Sequence, residues 1–121
     1  MEIGSKDWKS SIVVCAGTLG ITVTPQQAEA FARHAAELQH WNRRINLTAI
    51  KNAQEIALKH FVDSLAPAND LPPEASMLDM GSGGGFPGIP LKVIRPDLCL
   101  TLIDASRKKV TFLRYIIRIL K

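Results

Sequence analysis

The stretch from Leu78 to Gly88, LDMGSGGGFPG, decides the fold. It overlaps a short, mostly apolar run, Ser76–Met80, which is typical of a buried strand that stops at a glycine cluster. Glycines after a strand let the backbone turn sharply and approach a ligand, because no Cβ atom stands in the way. The next segment, Pro87 to Ile94, predicts a short helix whose first N–H groups and positive dipole end suit an anionic group. The stretch therefore predicts a strand, a ligand-binding loop and a helix.

A second strand and a second helix repeat this pattern. Leu98 to Ile103 is predicted to be a strand, and Ser106 to Leu120 an amphipathic helix. Strand, helix, strand and helix in succession imply parallel strands joined by a right-handed crossover. The predicted fold class is α/β, with residues 74–121 forming the first half of a Rossmann-like sheet. The side chains of this helix that are expected to face inward are Val110, Leu113, Ile116, Ile117 and Leu120.

Residues 1–70 are predicted to form a helical region. Ser5 or Asp7 can cap a first helix, and Thr24-Pro25 is a good entry to a second amphipathic helix of about twenty residues. A third helix is expected over about residues 53–65, before several prolines break the chain. Because a doubly wound sheet usually has five or more strands, we expect this chain to be the front part of a longer protein.

Composition and charge limit the classes of function. The chain has 121 residues, no apolar run long enough to span a membrane, and two cysteines, Cys15 and Cys99, without the spacing of a metal or redox site. Its net charge of +4 is unevenly distributed, because six basic residues and no acid follow Asp104. Such a run is either the footprint of an anionic partner or a solvated helix face. These residues are Arg107, Lys108, Lys109, Arg114, Arg118 and Lys121.

The glycine pattern and two acids indicate which cofactor the loop would bind. A dinucleotide motif, G-x-G-x-x-G counted from Gly81, would need a third glycine where Phe86 stands. Asp79 would be of little use beside a pyrophosphate, but it can hold the ammonium of an amino-acid moiety, directly or through water. Asp104, 23 residues after Gly81, is placed to accept hydrogen bonds from ribose hydroxyls of either cofactor class. The pattern therefore favours S-adenosylmethionine over a nicotinamide dinucleotide.

The chain resembles a known family at this point. Over about residues 38–114 it is similar to the bacterial 16S ribosomal RNA guanine-N7 methyltransferases, also called glucose-inhibited division protein B. The Gly-Phe-Pro-Gly-Ile-Pro run is much more specific than generic methyltransferase glycines. The resemblance is carried by Asp79–Leu91, Leu102–Arg114, Trp41-Asn42, Asn46-Leu47-Thr48, His60 and Asp63-Ser64-Leu65.

The resemblance implies a cytoplasmic enzyme that moves a methyl group from S-adenosylmethionine to N7 of one guanine in 16S ribosomal RNA. It places Gly81 and Phe86 along the cofactor, Asp104 on its ribose, and Ala105-Ser106 beside its adenine. Members of the family run on well beyond Lys121, so the chain alone is expected to be inactive. The cofactor residues predicted from motif and resemblance together are Asp79, Gly81, Gly83, Gly85, Phe86, Asp104, Ala105 and Ser106.

The proposed chemistry needs no catalytic acid or base, because guanine N7 carries an available lone pair in the neutral base. We therefore predict no catalytic side chain and no metal. His60 and Asp63 are given a structural role, with the imidazole bonded to the backbone, and His34 and His40 are expected at the surface. Candidate contacts to RNA phosphates are Arg43, Arg44, Lys51, Arg107, Lys108 and Lys109.

Two other classes of function remain open at this point. One is a nicotinamide-dependent oxidoreductase, against which Phe86 and Asp79 count. The other is a non-enzymatic RNA-binding module that uses the basic helix near the end of the chain. Comparing binding of the two cofactors distinguishes the first, and RNA binding without cofactor binding would favour the second.

Overall fold

The computed structural model describes residues 1–120, and Lys121 lies outside this range. Two helices come first, α1 (Lys6–Thr18) and α2 (Pro25–Trp41). Next come α3 (Ala53–Glu55), a π-helical segment (Ile56–Val62) and α4 (Asp63–Leu65), which follow one another without a break. After a short 3₁₀ turn at Ala68–Asp70 come β1 (Ser76–Met80), α5 (Gly88–Ile94), β2 (Cys99–Ile103) and α6 (Arg107–Leu120). The predicted mixed fold, helical at first and then strand–helix–strand–helix, is confirmed.

Local hydrogen bonds set where the first helices begin. The Ser5 side chain accepts a hydrogen bond from the Trp8 N–H, so Ser5 rather than Asp7 caps α1. Thr24 caps α2 in a reciprocal arrangement, because its hydroxyl accepts from the Gln27 N–H while the Gln27 side chain accepts from the Thr24 N–H. Each cap satisfies N–H groups that would otherwise lack a partner.

The third predicted helix has a different geometry at its centre. Its predicted bounds, 53–65, match the combined extent of α3, the π-helical segment and α4. The seven residues of the π-helical segment form a wider turn than an α-helix, which is uncommon and occurs frequently at functional sites. Sequence periodicity gives no signal that separates this wider turn from an α-helix.

The sheet consists of β1 and β2, which are parallel and paired from Ser76–Cys99 to Met80–Ile103. Side chains alternate between its faces, so Asp79 and Leu102 point toward α5, where the N-terminal Gly88 packs against both. The opposite face is open among the described residues, and Leu78, Met80 and Ile103 are 55%, 73% and 45% exposed there.

Two buried clusters hold the fold together. The larger joins α1, α2 and the π-helical segment to α5 through aromatic residues such as Trp8, Phe31 and Phe61. The smaller contains Leu38, Ile89, Phe112, Leu113 and Ile116. Since both clusters contain residues from before and after position 70, the two predicted regions pack against each other. Their division into separate domains stays a prediction.

The inward face of α6 differs from the predicted one. Leu113 and Ile116 are buried as expected, but Ile117 is 42% exposed and Phe112 is buried in its place. Phe112 turns toward α2, where its ring meets Trp41 edge to face at a centroid distance of 5.5 Å. Helix α6 packs against α2 as well as against the sheet. The side of α6 that faces α2 is therefore buried too, which includes Phe112 and leaves Ile117 exposed. Val110 and Leu120 are half-buried.

Within residues 1–120, no helix combines the length and the apolar character that crossing a membrane requires.

Candidate cofactor site

The glycine loop joins the end of β1 to the start of α5. Gly81, Gly83 and Gly85 have φ angles of 70°, 55° and 98°, which residues with a side chain rarely adopt. The N–H groups of Gly81 and Ser82 both donate to the Ile103 carbonyl, at 2.7 and 3.2 Å. The loop is therefore fixed to the carboxyl end of β2, where open α/β sheets bind their ligands.

The glycines of the loop fall into two groups. A Cβ atom added at Gly81 would meet nothing within 4 Å in the described structure, and one at Gly83 would lie 3.7 Å from the Leu47 carbonyl oxygen. A Cβ at Gly84 would lie 2.8 Å from Leu38, and one at Gly85 would lie 2.6 Å from Ile89. Gly81 therefore borders open space and Gly83 has room for an ordinary van der Waals contact, whereas Gly84 and Gly85 are needed for packing inside the protein.

Asp79 lies beneath the loop, with only 7% of its surface exposed. Its Oδ2 atom accepts a hydrogen bond of 3.0 Å from the Gly88 N–H, the first residue of α5. Burial raises the pKa of the Asp79 carboxyl, and the hydrogen bond from Gly88 partly opposes this. Asp79 thus holds the start of α5 in place. Its predicted contact with a ligand ammonium stays a prediction.

Asp104 connects the loop to the start of α6. Its Oδ2 accepts from the Gly83 N–H at 3.0 Å, and its Oδ1 accepts from the Ser106 N–H at 2.9 Å. The Ser106 hydrogen bond most strongly lowers the pKa of the Asp104 carboxyl, and the Gly83 hydrogen bond and attraction to Lys109 lower it further. Asp104 is therefore ionised at neutral pH. A partly exposed carboxylate at this edge has lone pairs left for ligand hydroxyls.

Phe86 anchors the loop to the helical region. Its ring stacks with His34 at a centroid distance of 4.7 Å and with His60 at 4.5 Å, and it meets the edge of Phe61 at 5.1 Å. The position that a dinucleotide-binding protein would reserve for glycine is thus filled by a ring that packs against three aromatic neighbours. Its predicted contact with a cofactor is untested.

The expectation that His34 lies at the surface is wrong, because its side chain is fully buried. Its Nε2 donates to the Gly84 carbonyl at 2.7 Å, and its Nδ1 has no hydrogen-bond partner among the described residues. Burial lowers the pKa of His34 to about 4, partly opposed by the Gly84 hydrogen bond and reinforced by nearby His60. His34 is therefore a neutral imidazole that supports the centre of the glycine loop. Exposed His40 lies where it was expected.

His60 has a structural role, but its partner differs from the expected one. Its Nε2 lies 2.7 Å from the Thr48 hydroxyl rather than from a backbone group. Thr48 is itself fixed by Asn42, whose side chain accepts from the Leu47 and Thr48 N–H groups and donates to the Thr48 carbonyl. Asp63 is exposed and makes no hydrogen bond with His60 within residues 1–120. The Asn42–Thr48 turn is thus linked to the glycine loop through His60, whose ring stacks on Phe86.

The six basic residues that were predicted to contact RNA lie at three different places in the structure. Arg44 and Lys108 line one groove between α2 and α6, and Arg43 and Lys51 line a smaller cavity of about 210 Å³ beside the Asn42–Thr48 turn. Arg107 is exposed and Lys109 is half-buried at the start of α6. Their contacts with RNA stay predictions.

Over residues 1–120, no cluster of three or more His, Cys, Asp or Glu side chains is arranged to hold a metal ion.

Comparison with known proteins places this site in a family. Residues 27–121 match the family model described as rRNA small subunit methyltransferase G. The chain is 49% identical over 112 residues to ribosomal RNA small subunit methyltransferase G of Geotalea uraniireducens, covering 93% of this chain and 51% of that protein. The protein of the same name in Geobacter metallireducens is 47% identical to this chain, again over 93% of this chain and 51% of the relative. The protein of the same name in Roseiflexus sp. is 47% identical over 84% of this chain and 44% of the relative. The chain therefore spans about half the length of these relatives. A glycine loop braced by His34 and closed by Asp104, together with this match, shows that the chain belongs to the rRNA small subunit methyltransferase G family.

Proposed function

We propose that this chain forms the cofactor-binding part of a cytoplasmic enzyme that transfers a methyl group from S-adenosylmethionine to N7 of a guanine in 16S ribosomal RNA. The observation that carries the proposal is the ionised Asp104, held by the N–H groups of Gly83 and Ser106 at the open edge of the glycine loop. The names of the relatives support ribosomal RNA methylation as the reaction class.

Two features of the loop favour this cofactor over a dinucleotide. Phe86 fills the position where a third glycine would let helix and strand approach a pyrophosphate, and Asp79 adds a buried carboxyl below the same loop. In the proposed complex, Asp104 accepts hydrogen bonds from the ribose hydroxyls, Gly81, Gly83, Gly85 and Phe86 belong to the loop along the cofactor, and Ala105 and Ser106 lie beside the adenine.

The reaction mainly requires that guanine N7 and the methyl group of the cofactor be held in the right positions. Bound S-adenosylmethionine supplies the electrophilic methyl group together with its leaving group. Guanine N7 attacks with its own lone pair, so the protein removes no proton beforehand. Neutral His34 and His60 suit this role, because they serve as rigid supports for the loop. The contribution of this chain is then to hold the loop and Asp104 in a fixed geometry.

Recognition of RNA is proposed to involve the basic residues at the end of α2 and the start of α6. N7 lies on the Hoogsteen edge, so the target base has to be unstacked or otherwise accessible. Salt-dependent phosphate contacts would then hold the neighbouring nucleotides. The residues proposed for these contacts are Arg43, Arg44, Lys51, Arg107, Lys108 and Lys109.

Replacement of Asp104 by alanine is expected to weaken S-adenosylmethionine binding by on the order of 1.5–3 kcal/mol, because hydrogen bonds to a charged acceptor are lost. The measurement is calorimetric titration of the cofactor into a version of the chain extended to the length of its relatives. Asp7→Ala, which removes an exposed carboxylate in the first turn of α1, is the matched control. Equal affinities in both variants, or tighter binding of a nicotinamide dinucleotide by the parent protein, would contradict the assignment.

Methyl transfer by residues 1–121 alone is expected to be at least roughly a hundredfold slower than by the extended version, because a displacement of about 1 Å in a positioning mechanism has an effect of that size. The measurement is single-turnover transfer of labelled methyl to small ribosomal subunits that lack the modification. Comparable rates would show that this chain holds everything the reaction needs.

A further inference from the structure

A groove of about 450 Å³ lies between the end of α2 and the exposed side of α6. Trp41 and Arg44 line it from the end of α2 and the residues that follow, and Lys108 and Tyr115 line it from α6. These pairs are more than sixty residues apart in the chain. Their juxtaposition is therefore a property of the fold.

The two aromatic rings of the groove are held in place by their neighbours. Trp41 and Tyr115 are half-buried, with ring centroids 5.6 Å apart. The buried ring of Phe112 meets Trp41 edge to face at 5.5 Å. The Tyr115 hydroxyl donates a long hydrogen bond of 3.4 Å to Glu37. Rings fixed in this way form a wall on which a planar group can stack without much further ordering of side chains.

The charge around the groove favours an anionic occupant. Arg44 and Lys108 are both exposed, and α6 carries five basic residues and no acid. None of these five residues, nor Arg44, takes part in an ion pair within residues 1–120. Glu37 also lines the groove, and its carboxylate accepts the hydrogen bond from the Tyr115 hydroxyl.

We propose that this groove binds a nucleotide of single-stranded RNA, with its base against Trp41 and Tyr115 and the adjoining phosphates on Arg44 and Lys108. The proposal rests on the proposed function and names the RNA surface of that enzyme. Aromatic rings combined with Arg and Lys are the usual means of holding unpaired nucleotides. The groove also adjoins the cofactor loop, because Lys108 follows by two residues Ser106, whose N–H is bound by Asp104. RNA held here would therefore lie on the side of the cofactor site where the adenine is proposed to bind.

The test uses this chain and a fluorescein-labelled single-stranded oligoribonucleotide, with affinity measured by fluorescence anisotropy over a range of salt concentrations. Trp41→Leu keeps an apolar side chain but removes the stacking surface, and we expect it to weaken binding roughly 5- to 150-fold. The double variant Arg44→Gln/Lys108→Gln is expected to reduce the slope of log affinity against log salt by about 1.4, since each phosphate contact contributes about 0.7. The charge-matched control is Lys6→Gln/Lys59→Gln, at exposed positions elsewhere.

The double variant changes only exposed side chains, so its result does not depend on whether Trp41→Leu folds. Wild-type affinity and salt slope in the double variant would overturn the groove proposal. Binding of ribosomal protein without binding of the oligoribonucleotide would do the same and identify a protein as the occupant. A different result would contradict the proposed function, namely that the extended wild-type protein neither binds S-adenosylmethionine nor transfers a methyl group. The two failures are therefore distinguishable.

Discussion

Acidification from pH 6.5 to pH 4 is expected to lower the free energy of unfolding by about 3 kcal/mol through His34 alone, since each pKa unit corresponds to about 1.4 kcal/mol. The effect arises because the folded protein keeps this imidazole neutral. Its Nε2 is committed to the Gly84 carbonyl, and a proton on Nδ1 would be a buried donor without a partner among the described residues.

The sign follows from proton binding in the two states. The pKa of His34 is about 4 in the folded state and 6.5 in the unfolded chain. Between these values the unfolded chain binds more protons, so falling pH favours unfolding. Well above pH 6.5 neither state is protonated at this position, and the contribution is constant. Burial also lowers the pKa of His60 and adds to the same trend, whereas the raised pKa of Asp79 acts in the opposite direction.

Denaturant unfolding at a series of pH values measures the effect, with His34→Gln as the variant because glutamine can donate to Gly84 but does not titrate. The difference between wild type and variant removes the contributions of the other titrating groups. His40→Gln, at an exposed position on the same helix, is the matched control. If the stability difference between wild type and His34→Gln stays constant from pH 7 to pH 4, His34 is not a neutral buried imidazole.

Replacement of Gly85 by alanine is expected to destabilise the chain by about 2–5 kcal/mol, combining backbone strain with overpacking. Gly85 has a φ of 98°, in the region that residues with a Cβ avoid. The added Cβ would also lie 2.6 Å from Ile89 Cδ1 and 3.4 Å from the His34 ring. Either the loop or the side chains of Ile89 and His34 would have to move, and the support of the loop by His34 would be disturbed.

Gly17→Ala is the matched control, because Gly17 lies within α1 and an added Cβ would meet nothing within 4 Å. That substitution is expected to stabilise the chain by up to about 1 kcal/mol, since alanine is the better helix former. Chemical denaturation of both variants measures the two effects. A loss below about 0.5 kcal/mol at Gly85 would mean that the loop adopts another conformation, since a change of that size is typical of a surface position.

Several parts of the site could be predicted from the sequence because they depend on neighbours along the chain. A run of apolar residues that ends in glycines is enough to locate β1 and the loop, and the distance from Gly81 to Asp104 places the acid at the end of β2. Thr24-Pro25 likewise carries the local signal for the start of α2. In each case the responsible atoms lie within a few residues of one another, or the right-handed crossover fixes how the strands pair.

The remaining features were decided only when distant segments packed together. His34 looks like a surface histidine in sequence, yet the rings of Phe61 and Phe86 and the Gly84 carbonyl enclose it. Phe112 replaces Ile117 on the buried face of α6 because α2 lies against that helix. Arg44 and Lys108 meet in one groove for the same reason. Periodicity identifies that a helix has an apolar face, but the burial of each residue depends on which elements cover it. The sequence by itself therefore determined the strand order, the glycine loop and the acid at its edge, and the tertiary structure decided how that loop is supported and which basic residues share a surface.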